Sequence, residues 1–136
     1  MRSHLPCAML LAGVEMIKLL VADDDAGVRR GLQMALALES DMVVVGEAAS
    51  GQEVLDLVAA TNPDVIVMDL IMPRMDGVDT TSALLTTGAP CQIVMLSIFD
   101  DAAIRRRALA AGAAAYVGKG DGLDPLLAAI RSAGVR

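Results

Sequence analysis

From residue 16 onward, short apolar runs alternate with longer amphipathic stretches. The runs at 17–22, 42–46, 64–69, 92–97 and 114–118 are rich in Val, Ile and Leu and bounded by turn residues, which predicts strands. Between them, helical spacing of apolar positions covers 26–38, 51–60, 78–87, 101–111 and 125–133. A strand followed by a helix, repeated along the whole chain, predicts an α/β fold with a parallel sheet and helices on both faces. The punctuation agrees. Asp25 is placed to cap the first helix, and Ser50 with Glu53 has the spacing of a capping box before the second. Gly88 and Gly112 stand where the third and fourth helices should stop. Asn62-Pro63 turns the chain into the third strand. Asp124-Pro125 offers a cap and a first-turn proline for the last helix, which Gly134 ends.

A chain of 136 residues that is 55% hydrophobic and 21% charged can bury the core of one domain and is too apolar to stay disordered. Phe99 and Tyr116 are its only aromatic residues, so the core must be aliphatic, and the methionines are read as core filler. A net charge of -6 and a pI near 4.5 repel phosphodiester backbones, so direct nucleic-acid binding by this segment is not expected. The basic cluster Arg105-Arg106-Arg107 falls in a helical pattern and reads as a solvated face. Two cysteines, Cys7 and Cys91, do not make a disulfide framework and read as free thiols in a reducing compartment. With His4 as the sole histidine, a zinc site has no support. Residues 1–15 form an N-terminal extension that faintly resembles a signal sequence but is too short to span a bilayer. Met16 is an alternative start, and residues 16–136 form the domain, expected in the cytoplasm with no membrane contact.

The chemistry gathers where strands end. In open α/β sheets, sites form outside the carboxyl ends of the strands. There the first strand delivers Asp23, Asp24 and Asp25; the third, Asp69; the fourth, Ser97; the fifth, Lys119 just past Gly118. The second ends in Gly46-Glu47 and offers little. If the first and third strands are neighbours, an acidic cup forms with a hydroxyl and an ammonium beside it. Asp23 and Asp24 supply hard oxygens suited to magnesium. Asp69 is placed as a nucleophile toward a phosphoryl group, Lys119 as the cation holding a phosphoryl oxygen, and Ser97 as a hydrogen-bond donor to another. Asp25 reads as a helix cap, and Asp76 as a residue shaping the loop with Gly77.

These segments resemble the receiver domain of two-component response regulators over about residues 17–133. Asp69-Leu70-Ile71-Met72-Pro73-Arg74-Met75-Asp76-Gly77 is similar to the stretch around the family's phosphoacceptor aspartate. Leu20-Val21-Ala22-Asp23-Asp24-Asp25 looks like its acidic metal-binding strand end. Ile93-Val94-Met95-Leu96-Ser97 matches the strand with the switch hydroxyl, and Ala111 to Lys119 the segment with the switch aromatic and lysine. The texture of Ser97-Ile98-Phe99-Asp100-Asp101 is most like the NarL/FixJ type, whose members usually carry a C-terminal helix-turn-helix.

The resemblance implies a doubly wound, flavodoxin-like (βα)5 three-layer sandwich with a five-stranded parallel sheet in the order 2-1-3-4-5. It further implies phosphorylation of Asp69 by a sensor histidine kinase, with Mg2+ at Asp24, Asp69 and the backbone carbonyl of Ile71, and Asp23 acting largely through water. Ser97 and Tyr116 would shift together, although Tyr116 alone could be a half-buried edge residue. The signal would pass to a DNA-binding output domain on the same chain or a partner, beyond Arg136 in the preferred reading, with a homodimer on phosphorylation as a further expectation. Such a protein is a switch in signal transduction and transcription regulation, not an enzyme with turnover.

The sequence departs from that pattern in two places. The family often has a cis proline after the lysine, whereas Lys119 is followed by Gly120-Asp121-Gly122, so a more mobile loop is expected. Ile71 and Phe99 are apolar beside the site where many relatives are polar, which suggests obstruction of the hydrolytic water and a longer phosphorylated lifetime. The other readings are a stand-alone receiver, an aspartyl-phosphate phosphohydrolase and a flavodoxin-like electron carrier. The phosphohydrolase would want an acid two residues after the nucleophile, where Ile71 stands. The electron carrier would want a Ser/Thr/Gly-rich phosphate loop where three carboxylates stand.

Overall fold

The computed structural model describes residues 16–99 and 101–135. Expectations for residues 1–15, including His4 and Cys7, lie outside the described residues. Five strands, β1 (Ile17–Ala22), β2 (Met42–Ala48), β3 (Val65–Asp69), β4 (Gln92–Ser97) and β5 (Ala115–Gly118), pair in parallel in the order β2-β1-β3-β4-β5. They alternate with helices α1 (Ala26–Ala37), α2 (Gly51–Thr61), α3 (Gly77–Thr87), α4 (Ala102–Ala110) and α5 (Leu123–Ala133). The expected three-layer architecture and strand order are both present.

The three layers follow from side-chain parity. Successive residues of a strand point to opposite faces. Leu20 and Ala22, Ile66 and Met68, and Ile93 and Met95 bury against one cluster with Val54 of α2, Leu84 of α3 and Ala108 of α4. Their neighbours Leu19 and Val21, Val65 and Val67, and Val94 and Leu96 bury against Leu36 of α1 and Leu126, Leu127 and Ile130 of α5. Both faces of the central strands are therefore apolar, which explains runs of Val, Ile and Leu without alternation. Each such fully buried side chain contributes about 1.5–3 kcal/mol of transfer free energy.

Helix ends show where local signals decided and where they did not. Asp25 caps α1 as expected, its Oδ1 accepting from Gly27 N–H at 2.8 Å and Val28 N–H at 3.1 Å. Asp76 caps α3 through Asp79 N–H at 2.8 Å, which bears out its reading as a loop-shaping residue. The capping box before α2 is only half formed. Ser50 Oγ accepts from Glu53 N–H at 3.2 Å, but Glu53 Oε1 reaches Ala49 N–H, one residue earlier than expected. The expected cap of α5 by Asp124 is corrected. The helix begins at Leu123 after Gly122 (φ 87°), and Asp124 lies within its first turn. Pro125 still sits in that first turn, where its missing N–H costs nothing. Strand β2 runs two residues further than expected, with a bulge opposite Leu19/Leu20. No helix among the described residues is long and apolar enough to cross a membrane.

Candidate functional site

The order β2-β1-β3-β4-β5 puts β1 beside β3 at the point where the winding reverses, so the crevice beyond their carboxyl ends is lined by Asp23 and Asp69. Oxygens of Asp23, Asp24 and Asp69 lie within 4.8 Å of one another. Asp24 is exposed, whereas Asp23 is only 1% exposed and Asp69 is nearly as deep. Two like charges at about 4 Å repel by about 4 kcal/mol at an effective dielectric constant near 20, so the crowding needs compensation.

Lys119, delivered by β5, supplies part of it. Its Nζ donates to Asp23 Oδ2 at 2.9 Å and lies 3.5 Å from Asp69 Oδ1. Burial would lower the Lys119 pKa, but bonding and charge from Asp23 and Asp69 outweigh it and hold the ammonium above its ordinary 10.5. Asp69 goes the other way for a carboxylate. Burial first, then the Asp23 charge, push its carboxyl above the ordinary 3.8, against the opposing pull of Lys119. One ammonium among three carboxylates leaves negative charge to spare, and the hard oxygen donors fit a divalent cation such as magnesium.

The loop after Asp69 is built for close approach. A Cβ on Gly77 would lie 2.7 Å from Met95 Sδ and 2.8 Å from the Asp69 carbonyl oxygen, so only glycine lets the start of α3 dock on the β3 end. Gly77 N–H donates to the Leu70 carbonyl at 2.8 Å, and Leu70 N–H to the Leu96 carbonyl at 3.2 Å, tying the loop to β4. At the end of β4, Ser97 is buried and its Oγ accepts from Phe99 N–H at 3.1 Å. Tyr116 on β5 is 6% exposed and its hydroxyl donates to the Phe99 carbonyl at 2.8 Å. Ile71 stands out from the rim at 54% exposure and Phe99 at 41%. Past Lys119, the chain makes a single 3-10 turn, Lys119–Asp121.

The response regulator receiver domain profile matches residues 19–131. The chain belongs to that family. Over 116 residues this receiver is 38% identical to the response regulator GacA of Pseudomonas aeruginosa, covering 85% of this chain and 54% of that protein. It thus spans about half the length of the curated relatives it matches. The receiver domain of Mycobacterium tuberculosis NarL superposes with a TM-score of 0.83 at 34% identity, covering 90% of this chain and 99% of that one. The response regulator domain of Thermotoga maritima CheB does so with a TM-score of 0.81 at 34% identity, covering 88% and 97%.

The structure brings Asp23, Asp24, Asp69 and Lys119 into one cluster, with Ser97 beside Gly118 in the β4–β5 register. Asp25 stands aside as a cap. Sequence reading missed three residues. Arg29 donates from Nη1 to the Asp23 carbonyl at 2.7 Å and pairs through Nε with Glu47 at 2.7 Å, so the end of β2 braces the acidic loop from behind. Arg105 is exposed, as expected of a solvated face, but it also lies over the Tyr116 ring, 5.0 Å from its centroid. Contacts that cross from helix to strand leave no local signal in the sequence.

Proposed function

We propose that this receiver is a phosphorylation-dependent signalling switch in which Asp69 accepts a phosphoryl group from the histidine of a sensor kinase. The observation that carries this reading is the crowding of three carboxylates, two of them sharing one ammonium, at the crevice of the sheet. In the transfer, an Asp69 carboxylate oxygen attacks phosphorus, the phosphorus–nitrogen bond breaks, and the imidazole leaves and takes up a proton. Asp23, Asp24, Asp69 and the backbone carbonyl of Ile71 are the residues that would hold Mg2+, which when bound offsets the charge of both reactants. Lys119 holds a phosphoryl oxygen from the other side, and Ser97 donates a hydrogen bond to another. Chemistry of this kind depends on positioning and neutralisation, and the convergence of these groups at one rim supports the reading.

One new dianionic group then biases a two-state equilibrium in which Ser97 and Tyr116 move together. The unit that switches spans residues 16–136, works in the cytoplasm, and passes its state to a DNA-binding output region, on the same polypeptide or a partner, with dimerisation as one route. It modifies itself and does not turn over a substrate. The test is incubation with a small phosphodonor and magnesium followed by intact mass. The expected result is a gain of one phosphoryl group that Asp69→Ala abolishes; an unmodified protein, or a gain that survives in Asp69→Ala, contradicts the reading.

A further inference from the structure

Phe99 joins two side chains that belong to different strands. Its N–H donates to Ser97 Oγ at 3.1 Å, and its carbonyl accepts from the Tyr116 hydroxyl at 2.8 Å. The two bonds hold the Phe99 backbone on either side of its Cα, so displacing the Tyr116 ring pulls on the segment that Ser97 Oγ also holds. The far end of the series is held from α4. Asp101 caps that helix, its Oδ1 accepting from Ala103 N–H at 2.7 Å and Ile104 N–H at 3.2 Å, which fixes Arg105 one turn in. The Arg105 guanidinium lies 5.0 Å from the Tyr116 ring centroid and donates from Nη1 to the Tyr116 carbonyl at 3.2 Å. A cation within 6 Å of a ring face is attracted to it, and the planar fork can stack and hydrogen-bond together. The same residue therefore grips both the ring and the backbone of Tyr116, and the ring is buried.

We propose that Arg105 is a positioning residue of the switch, a latch on α4 that holds Tyr116 inward and keeps the Ser97–Phe99–Tyr116 series closed before phosphorylation. It ties α4 to the ring, so a shift of α4 loads the Arg105 contact. The link to phosphorylation rests on the reading of Asp69 as phosphoacceptor, while the latch itself does not.

The chain has one tyrosine and no tryptophan, so tyrosine emission reports this ring alone. The experiment is acrylamide quenching of the intact chain, with far-UV circular dichroism confirming the fold. Arg105→Gln is expected to raise quenching several-fold, from a shift of about tenfold in the inward-to-outward ratio when the ring contact and its hydrogen bond are lost. Arg105→Lys, which keeps a cation without the fork, should fall between, and it carries the test if Arg105→Gln does not fold. Adding Mg2+ with beryllium trifluoride as a phosphoryl mimic should restore protection to Arg105→Gln and change the parent little. Quenching of Arg105→Gln or Arg105→Lys equal to the parent overturns the latch. A ring exposed in Arg105→Gln that the mimic leaves exposed, in a protein whose Asp69 does gain phosphoryl mass, overturns its coupling to the site. If no mass is gained at all, the phosphoacceptor reading fails and the comparison without mimic still decides the latch.

Discussion

Asp41 and Asp69 each sit beside a basic side chain, yet their surroundings move the two carboxyl groups in opposite directions. Asp41, in the turn between α1 and β2, accepts from Arg131 Nε at 2.8 Å and Nη2 at 3.0 Å, and Arg131 also reaches Glu39. The Arg131 hydrogen bonds hold the Asp41 carboxyl below its ordinary 3.8. Asp69, at the opposite rim, has its cation at 3.5 Å, shares it with Asp23, and is pushed above 3.8 by burial and by the Asp23 charge. At one rim a single guanidinium serves two carboxylates near the surface, where solvent weakens both attraction and repulsion. The other keeps unmatched charge in a partly buried crevice. A nearby cation alone therefore does not set the direction of a carboxyl's shift; at Asp69 burial and the Asp23 charge outweigh it.

The comparison can be broken most forcefully at Lys119. Lys119→Met leaves the buried Asp23 and Asp69 without their shared ammonium, and should lower stability in urea by about 2–3 kcal/mol without added metal. The same variant should slow phosphorylation by a small donor about a hundredfold, as expected for loss of a donor aimed at developing charge. A variant as stable and as reactive as the parent would mean that Lys119 neutralises nothing. Ile71 and Phe99 sharpen the comparison next. If these exposed apolar side chains hold off the hydrolytic water, Ile71→Asn and Phe99→Glu should speed phosphate loss by about tenfold, equivalent to about 1.4 kcal/mol in the barrier. Unchanged decay followed by mass would defeat that idea. The smallest effect belongs to the outer rim. Because the Asp41 pKa is lowered by folding, its contribution is present above 3.8 and disappears as pH falls through the lower folded value. Arg131→Ala should therefore cost a little stability at neutral pH and nothing in acid, read as the difference in urea midpoint from the parent.

Much of this was legible along the chain because it is a matter of period and punctuation. The β1 run Leu19-Leu20-Val21-Ala22 has no polar position, which is what burial on both faces requires, and the same holds for Val65-Ile66-Val67-Met68 of β3 and Ile93-Val94-Met95-Leu96 of β4. The acidic strand end, the Asp69 loop and Lys119 were visible because each sits at a strand terminus, and topology alone brings those termini together. What was hidden depends on geometry between elements. Asp124-Pro125 carries the local signature of a cap, yet the positive φ of Gly122 starts the helix earlier. Glu53 chose Ala49 N–H over the expected partner because the extended backbone before α2 offers both. Arg105 looked like one of three equivalent arginines, and only the placement of α4 over β5 singles it out. Glu47 looked idle until the end of β2 set it against Arg29.

The most direct test of the central claim is the melting temperature of the parent and of Asp69→Asn, each with and without magnesium at neutral pH. Because the folded Asp69 carboxyl is raised above 3.8, the stability it lends in acid is lost as pH rises through that folded value, above which its charge is a burden. The account predicts that Asp69→Asn melts higher than the parent without metal, and that magnesium raises the parent more than the variant. A variant that melts lower, together with a parent indifferent to magnesium, would contradict it.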